Sequence, residues 1–242
     1  MEMFKPALAA EALRPFFESR TREHISHIDN GLYLSDWIAA RDYRTIHLHN
    51  ITAVVSVTNA RDHRWRWPQY EMLVPPEHHL FIPALDNPTE DLLVHLEEIC
   101  GFIDWHLAKP PGPARILPQA NRIHSVNQLE HNPNVEVFPQ VLIHCQMGVS
   151  RSATVMIAYL MRKRGDSMEQ VLRDVKRKRD VNPNVNFLEQ LKVWEVTNYQ
   201  IWADKDNKIP KEAYRVFLQA RTKRLEANGL TGDEPVCLFW NS

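Results

Sequence analysis

Residues 144–161 read HCQMGVSRSATVMIAYLM and follow the apolar residues Val141–Ile143. Val141–His144 predicts a strand, Gly148 a turn, and Ser152–Arg164, closed by Gly165, a helix. A buried strand that ends at Cys145 delivers this thiol to the edge of a sheet where ligands of α/β folds bind. Backbone N–H groups from Gln146 to Arg151 then converge at a helix N-terminus, which makes a nest for an anion. Such a field lowers a thiol's pKa from about 8.5. Arg151 adds a planar fork of donors that matches phosphate, and Gly148 lets the backbone come close to it. A thiolate beneath a bound phosphate is a nucleophile aimed at phosphorus.

The rest of the chain supplies a sheet to carry this loop. Leu32–Leu34 predicts a short strand, with Ser35 capping a helical turn through Ala40. Ile51–Val57 is β-branched and reads as a buried strand, and Leu80–Ile82 is another, stopped by Pro83. Residues 90–107 predict a helix with Thr89 as its cap and Leu92, Leu96, Ile99 and Ile103 as its stripe. Residues 109–140 carry six prolines and no clear period, so they form a long insertion. Ser167 and Gln170 make a capping box for a helix to Arg179. Asn182–Asn186 is a turn, Phe187–Tyr199 a helix, and Lys211–Leu225 a further helix with Ala213, Val216, Phe217 and Ala220 inward. An amphipathic helix is expected over 4–17, and the apolar tail 235–240 is expected to dock on the body. Strands alternating with helices imply an α/β fold.

Composition bounds the function. The chain has 242 residues, 44% hydrophobic and 24% charged, an ordinary globular composition that can bury a core. Its net charge of -1 argues against a dedicated nucleic-acid or membrane-surface protein. No apolar run approaches the ~20 residues of a membrane span. Three widely spaced cysteines, Cys100, Cys145 and Cys237, make neither a disulfide scaffold nor a zinc site. They point to a reducing compartment, hence the cytoplasm, and Lys176–Arg179 resembles a nuclear signal. The histidine pairs His78-His79 and His47-x-His49 lack further ligands, so no metal and no cofactor is expected.

The Cys-x5-Arg-Ser loop resembles that of the cysteine-based protein tyrosine phosphatase superfamily, and HCQMGVSRSATVMIAYLM is similar to the dual-specificity phosphatases within it. The stretches HIDNGLYLSDWIAA, ITAVVSVTNA, IPALDNPTEDLL and VNPNVNFLEQL resemble their counterparts in order, over about residues 25–198. The resemblance implies a central, mostly parallel mixed sheet flanked by helices, in a catalytic domain 25–198 interrupted at 109–140. Outside that stretch, residues 1–24 are expected to form an N-terminal helical extension, and 199–242 a C-terminal helix and tail packed on the domain.

It implies Cys145 as the nucleophile that forms a phosphocysteine, and Arg151 as the group that binds the phosphoryl oxygens. Ser152 helps the sulfur leave, His144 buttresses the loop and tunes the thiolate, and Asp86 is the general acid and then base. Gln146, Met147, Gly148, Val149 and Ser150 complete the phosphate loop, with Asn184 supporting it. Asp91 is the substitute for Asp86, with a helix-dipole role as its bland reading. Cys100 reads as core, or as a disulfide partner that protects oxidised Cys145. No KNRY-like string precedes Ile51, and the side chains at 146, 147, 149 and 150 are uncharged. The implied activity is therefore a hydrolase acting on phosphotyrosine and phosphoserine or phosphothreonine in a phosphorylated protein. No nucleic acid or membrane partner is implied, and no oligomeric state is set. A catalytically weak phosphoprotein-binding module is the alternative from another class. A phosphatase of phosphorylated lipid, RNA or glycan is the alternative within enzymes.

Overall fold

The computed structural model describes residues 24–113, 136–204, 206 and 208–232. The helix expected over 4–17, the interior of the insertion, the tail 235–240 and Cys237 lie outside the described residues. The elements in chain order are β1 (Ile25–Asp29), β2 (Leu32–Ser35), α1 (Trp37–Ala40), α2 (Tyr43–Leu48) and β3 (Ile51–Thr58). There follow α3 (Pro68–Glu71), β4 (His79–Pro83), α4 (Leu93–Leu107) and the two-residue strands β5 (Gly112–Pro113) and β6 (Glu136–Val137). The chain continues through β7 (Gln140–His144), α5 (Arg151–Arg164), α6 (Met168–Lys178), α7 (Val185–Val196) and α8 (Glu212–Ala227).

Five strands form one sheet in the order β1-β2-β7-β3-β4. Only β1 with β2 is antiparallel; the other neighbours run parallel, as the mostly parallel mixed sheet requires. The alternation of side chains along each strand builds two cores. Val141 and Ile143 of β7, with Ala53, Val55 and Val57 of β3, face the large core packed by α4, α5, α6, α7 and α8. Leu142 and Val54 face the opposite way, into a smaller core closed by Ile46, Trp65 and Tyr70. A strand covered on both faces reads as a continuous apolar run, which is why β3 and β7 are plain in the sequence.

Several helix ends differ from the sequence reading. Ser35 belongs to β2, and Asp36 caps α1 instead, its Oδ1 accepting from the N–H of Ile38 (2.9 Å) and Ala39 (3.0 Å). Helix α4 starts at Leu93, because Asn87 Oδ1 gathers the N–H groups of Thr89 (3.0 Å) and Glu90 (2.7 Å) into a separate turn. The buried donors at the start of α4 that lack an intrahelical acceptor are met by Gln190 of α7, whose Oε1 accepts from Leu92 N–H at 2.8 Å. The α7 helix begins earlier than expected, since Asn184 caps it through Phe187 N–H at 2.9 Å. The insertion is held at its stems, where Gly112 pairs with Val137 and Pro113 with Glu136. Trp65 is buried in the smaller core while Trp67, two residues on, is exposed.

In α8 the inward residues are Tyr214, Phe217 and Leu225, whereas Val216 and Ala220 are exposed. The helix is turned by one residue from the expected stripe because Tyr214 reaches across to Asp91, donating its hydroxyl to Oδ2 at 2.8 Å. Asp91 is buried, and that burial pushes its carboxyl pKa up. Tyr214→Phe keeps the ring and removes the donor, leaving a buried carboxylate with one partner fewer. It should cost about 1–3 kcal/mol in urea unfolding. A loss near zero would mean that the contact does not hold α8 to the body.

Candidate active site

Strand β7 ends at His144, and Cys145 follows at 1% exposure. Two donors meet its Sγ: the Gly148 N–H at 3.2 Å and the Ser152 hydroxyl at 3.1 Å. The loop between them is stretched from outside. The Gln146 carbonyl accepts from Trp37 N–H (3.2 Å), and the Val149 carbonyl from Asn182 N–H (2.8 Å). The Gly148 carbonyl accepts from Arg179 Nε at 2.9 Å. C=O and N–H point in opposite directions in a trans peptide. Each carbonyl drawn outward therefore turns the next N–H, those of Met147, Val149 and Ser150, toward the inside of the loop. The result is the anion nest that the sequence implied, positioned at the start of α5.

Gly148 has φ +64°, and a Cβ there would stand 2.5 Å from the Ser35 carbonyl oxygen and 2.6 Å from Arg179 Nη2. Gly148→Ala thus meets a fixed backbone atom as well as a left-handed conformation that alone costs about 1–2 kcal/mol. Its thermal midpoint and its affinity for vanadate should both fall. A variant that melts and binds like the parent would contradict this account of the loop.

Arg151 and Asp86 close the site from the other side. Arg151 is buried, donates from Nη1 to the Ala84 carbonyl at 3.0 Å, and places Nε 3.7 Å from Asp86 Oδ2. Asp86 Oδ1 accepts from Ser150 Oγ at 2.9 Å and from Asn184 Nδ2 at 2.7 Å. Ser150 Oγ in turn accepts from Asn184 N–H at 3.3 Å. Cys145, Arg151, Ser152 and Asp86 therefore share one site, although Asp86 is 59 residues before the cysteine. Ser150 differs from a simple phosphate-loop member: its side chain belongs to Asp86, which leaves its backbone to the loop. Met147 and Gln146 are exposed at the rim.

His144 is buried, and burial pushes its pKa down to about 4. A neutral imidazole carries no positive charge to offer a thiolate, so His144 acts on the loop by position. Its Nε2 lies 2.6 Å from Ser56 Oγ. Asp91 is engaged with Tyr214 and with the N–H of Leu93 (3.0 Å), and it lies before α4, whose first turn holds no acidic residue, so it is a buried hydrogen-bond partner rather than a first-turn dipole partner. Cys100 is a free, core thiol whose pKa burial pushes up to about 11, a poor nucleophile. Among the described residues, no three His, Cys, Asp or Glu side chains converge as a metal site would need.

Arg179 was absent from the sequence reading of the site. It is 4% exposed, and besides Gly148 it holds Ser26 Oγ through Nη1 at 3.2 Å. Its place at the end of Lys176–Arg179 disguised it as one more surface cation. Its one sequence signal is its position just before VNPN, within a stretch of family resemblance. Beside the loop lies a groove of about 330 Å³ lined by Trp37, Arg41, Ser56, Arg61, Asp62 and Gln146, among others.

Residues 135–197 match the family model described as dual specificity phosphatase, catalytic domain. The chain is 31% identical over 192 residues to mouse dual specificity protein phosphatase 13B, covering 78% of this chain and 83% of that one. It is 32% identical over 170 residues to mouse dual specificity protein phosphatase 26, covering 69% of this chain. The chain spans 65% of the length of that relative, and 56% of the tyrosine-protein phosphatase yvh1 of Schizosaccharomyces pombe. Among solved structures, the Yvh1 phosphatase domain of Chaetomium thermophilum aligns with a TM-score of 0.54 at 28% identity. It covers 72% of this chain and 96% of that one. Human DUSP28 aligns with a TM-score of 0.53 at 26% identity, over 72% of this chain and 95% of that one. A relative matched along most of its own length, over the stretch that builds the cysteine loop, places the chain: it belongs to the dual-specificity phosphatases of the cysteine-based protein tyrosine phosphatase superfamily.

Proposed function

We propose that the protein is a cysteine-dependent phosphatase that hydrolyses phosphate monoesters on protein side chains through a phosphocysteine. The observation that carries this is the convergence on one loop of a thiol with two donors, a buried guanidinium and a carboxylate beside it. In the first step Cys145 Sγ attacks phosphorus while Arg151 and the loop N–H groups hold the non-bridging oxygens. The bond to the leaving oxygen breaks as Asp86 protonates it. In the second step water attacks phosphorus and gives its proton to Asp86. The S–P bond breaks, with the Ser152 hydroxyl donating to the departing sulfur. Protein substrates with phosphotyrosine, phosphoserine or phosphothreonine are supported by the uncharged loop side chains and by the names of the relatives.

Residues 25–198 are proposed as the catalytic unit, with α8 packed on it through Tyr214 and Phe217. A cytoplasmic location is proposed from the cysteine usage. The nuclear reading of Lys176–Arg179 is weakened, since Arg179 is buried and Lys178 Nζ donates to the Ile28 carbonyl at 2.6 Å.

The test is hydrolysis of a small aryl phosphate across pH with EDTA present. Turnover that resists EDTA and stops with vanadate is expected; folded protein without turnover would reject the proposal. Asp86→Asn separates the acid from the nucleophile, and its amide oxygen can still accept from Ser150 and Asn184. It should slow hydrolysis of alkyl phosphates by about 10²–10³-fold and of nitrophenyl phosphate much less. Equal losses on both would remove Asp86 from the acid role.

A further inference from the structure

Asp86 stands on the loop 84–92 between β4 and α4, and this loop is held on two sides. In front, Asp86 meets Ser150, Asn184 and Arg151, and the Ala84 carbonyl accepts from Arg151. Behind, the backbone carbonyls of the loop accept from side chains of α7. Asn186 Nδ2 donates to Asn87 at 3.2 Å and to Glu90 at 2.8 Å, and Gln190 Nε2 donates to Glu90 at 2.7 Å. Within the loop, Glu90 Oε2 accepts from Leu85 N–H at 2.7 Å, which staples together the two residues that bracket Asp86 and its turn.

Helix α8 supplies two more anchors, although it begins at Glu212, beyond residue 197 where the family model ends. Arg221 Nε donates to the Thr89 carbonyl at 2.6 Å, across 132 positions of sequence. Tyr214 donates its hydroxyl to Asp91 Oδ2 at 2.8 Å. Residues 214, 217 and 221 share one face of a helix, and Phe217 fixes that face by its burial in the large core. A single packed face of α8 thus holds the loop at Thr89 and at Asp91. The peptide between Thr89 and Glu90 shows what the first anchor does. Its C=O and N–H point in opposite directions. The carbonyl goes outward to Arg221, and the Glu90 N–H goes inward to Asn87 Oδ1 at 2.7 Å, beside Asp86.

We infer that Arg221 and Tyr214 are positioning residues for the general acid, so that α8 belongs to the catalytic apparatus. By drawing the Thr89 carbonyl outward, Arg221 aims the Glu90 N–H at Asn87 and closes the turn that presents Asp86 to Arg151. Tyr214 fixes the exit of the same loop at Asp91. An acid works only with its proton within hydrogen-bond reach of the leaving oxygen, and a displacement of about 1 Å costs up to about 10²-fold. The cost depends on the substrate. An alkoxide needs the proton in order to leave, whereas a nitrophenolate leaves without it. The effect on catalysis rests on the phosphatase reading with Asp86 as its acid; the tether of the loop to α8 does not.

Two variants of the full chain test this. Arg221→Met fills similar space without a donor. Arg221→Gln places its Nε2 as many bonds from the backbone as the arginine Nε, and so keeps the donor without the charge. The first measurement is hydrogen–deuterium exchange. Amides of residues 85–92 should exchange about 10-fold faster in Arg221→Met than in the parent or in Arg221→Gln, while those of β7 keep their rates. The second is kcat on two substrates. Arg221→Met should hydrolyse an alkyl phosphate about 10-fold more slowly and nitrophenyl phosphate less than about 2-fold more slowly, and Arg221→Gln should stay within about 2-fold of the parent on both. Unchanged exchange of the loop overturns the tether. Faster exchange with equal losses on the two substrates overturns the positioning role, as does an Arg221→Gln variant no better than Arg221→Met. If Arg221→Met does not fold, Tyr214→Phe carries the same two measurements with the same expected split. A parent that hydrolyses neither substrate, with the stated exchange, would sink the function proposed above and leave the tether standing.

Discussion

Cys145→Ser should lose aryl phosphate hydrolysis by about 10⁴-fold or more while still binding phosphate analogues. The sulfur is the one atom in the loop placed to attack phosphorus, and the replacement hydroxyl is a weak nucleophile with no base beside it. Sγ accepts from Gly148 N–H at 3.2 Å and from the Ser152 hydroxyl at 3.1 Å. A serine oxygen can accept from the same groups, so the loop has reason to keep its shape. The binding elements, Arg151 and the inward N–H groups, are untouched. Vanadate or a phosphopeptide should therefore bind the variant within a few-fold of the parent, by calorimetry or by protection against unfolding. More than about 1% of parental turnover would mean that the reaction does not pass through Cys145. Loss of both turnover and binding would mean that the thiol is structural.

Arg151→Lys should show the opposite pattern, losing turnover and binding together. The guanidinium is anchored by Nη1 to the Ala84 carbonyl at 3.0 Å and lies with Nε 3.7 Å from Asp86. A lysine keeps the charge but offers a single point of it, without the fork that holds two oxygens of a phosphoryl group. Removing such donors from a developing anionic centre costs about 10²–10³-fold in turnover. Vanadate affinity should fall with it, because the same fork binds the ground-state anion. Since Arg151 is buried, its side chain has little freedom to find a second geometry. A variant with full affinity for vanadate would show that the loop N–H groups alone hold the anion. Set beside Cys145→Ser, the pair separates attack from recognition.

Strand β7, the turn at Gly148 and helix α5 were legible because each follows from neighbouring residues: an apolar run, a left-handed position, an N-terminus and a glycine stop. The helix starts that differ are set by short-range caps, Asp36 for α1, Asn87 before α4 and Asn184 for α7, where several neighbouring polar side chains compete for the same role. Distant partners decide other features: Gln190 of α7 meets the first donors of α4, and α8 is rotated because Tyr214 reaches Asp91. Arg179 looked like surface charge until the fold set it under the Gly148 carbonyl.

By itself the sequence determined the chemistry that lies along a single stretch of chain. A strand, the seven residues from Cys145 to Arg151 and a helix set a thiol beside a run of backbone N–H groups, which Trp37, Arg179 and Asn182 then turn inward. It also carried the alternation that sends Val54 and Leu142 to one core and Val55 and Ile143 to the other. Only the tertiary structure decided what surrounds that loop. Asp86 comes to it from the loop after β4, Asn184 from the cap of α7, and Ser56 and His79 from strands β3 and β4. Local periodicity records which face a side chain occupies. Which distant atom it meets there depends on sheet register and helix packing, and those are settled only when the whole core closes.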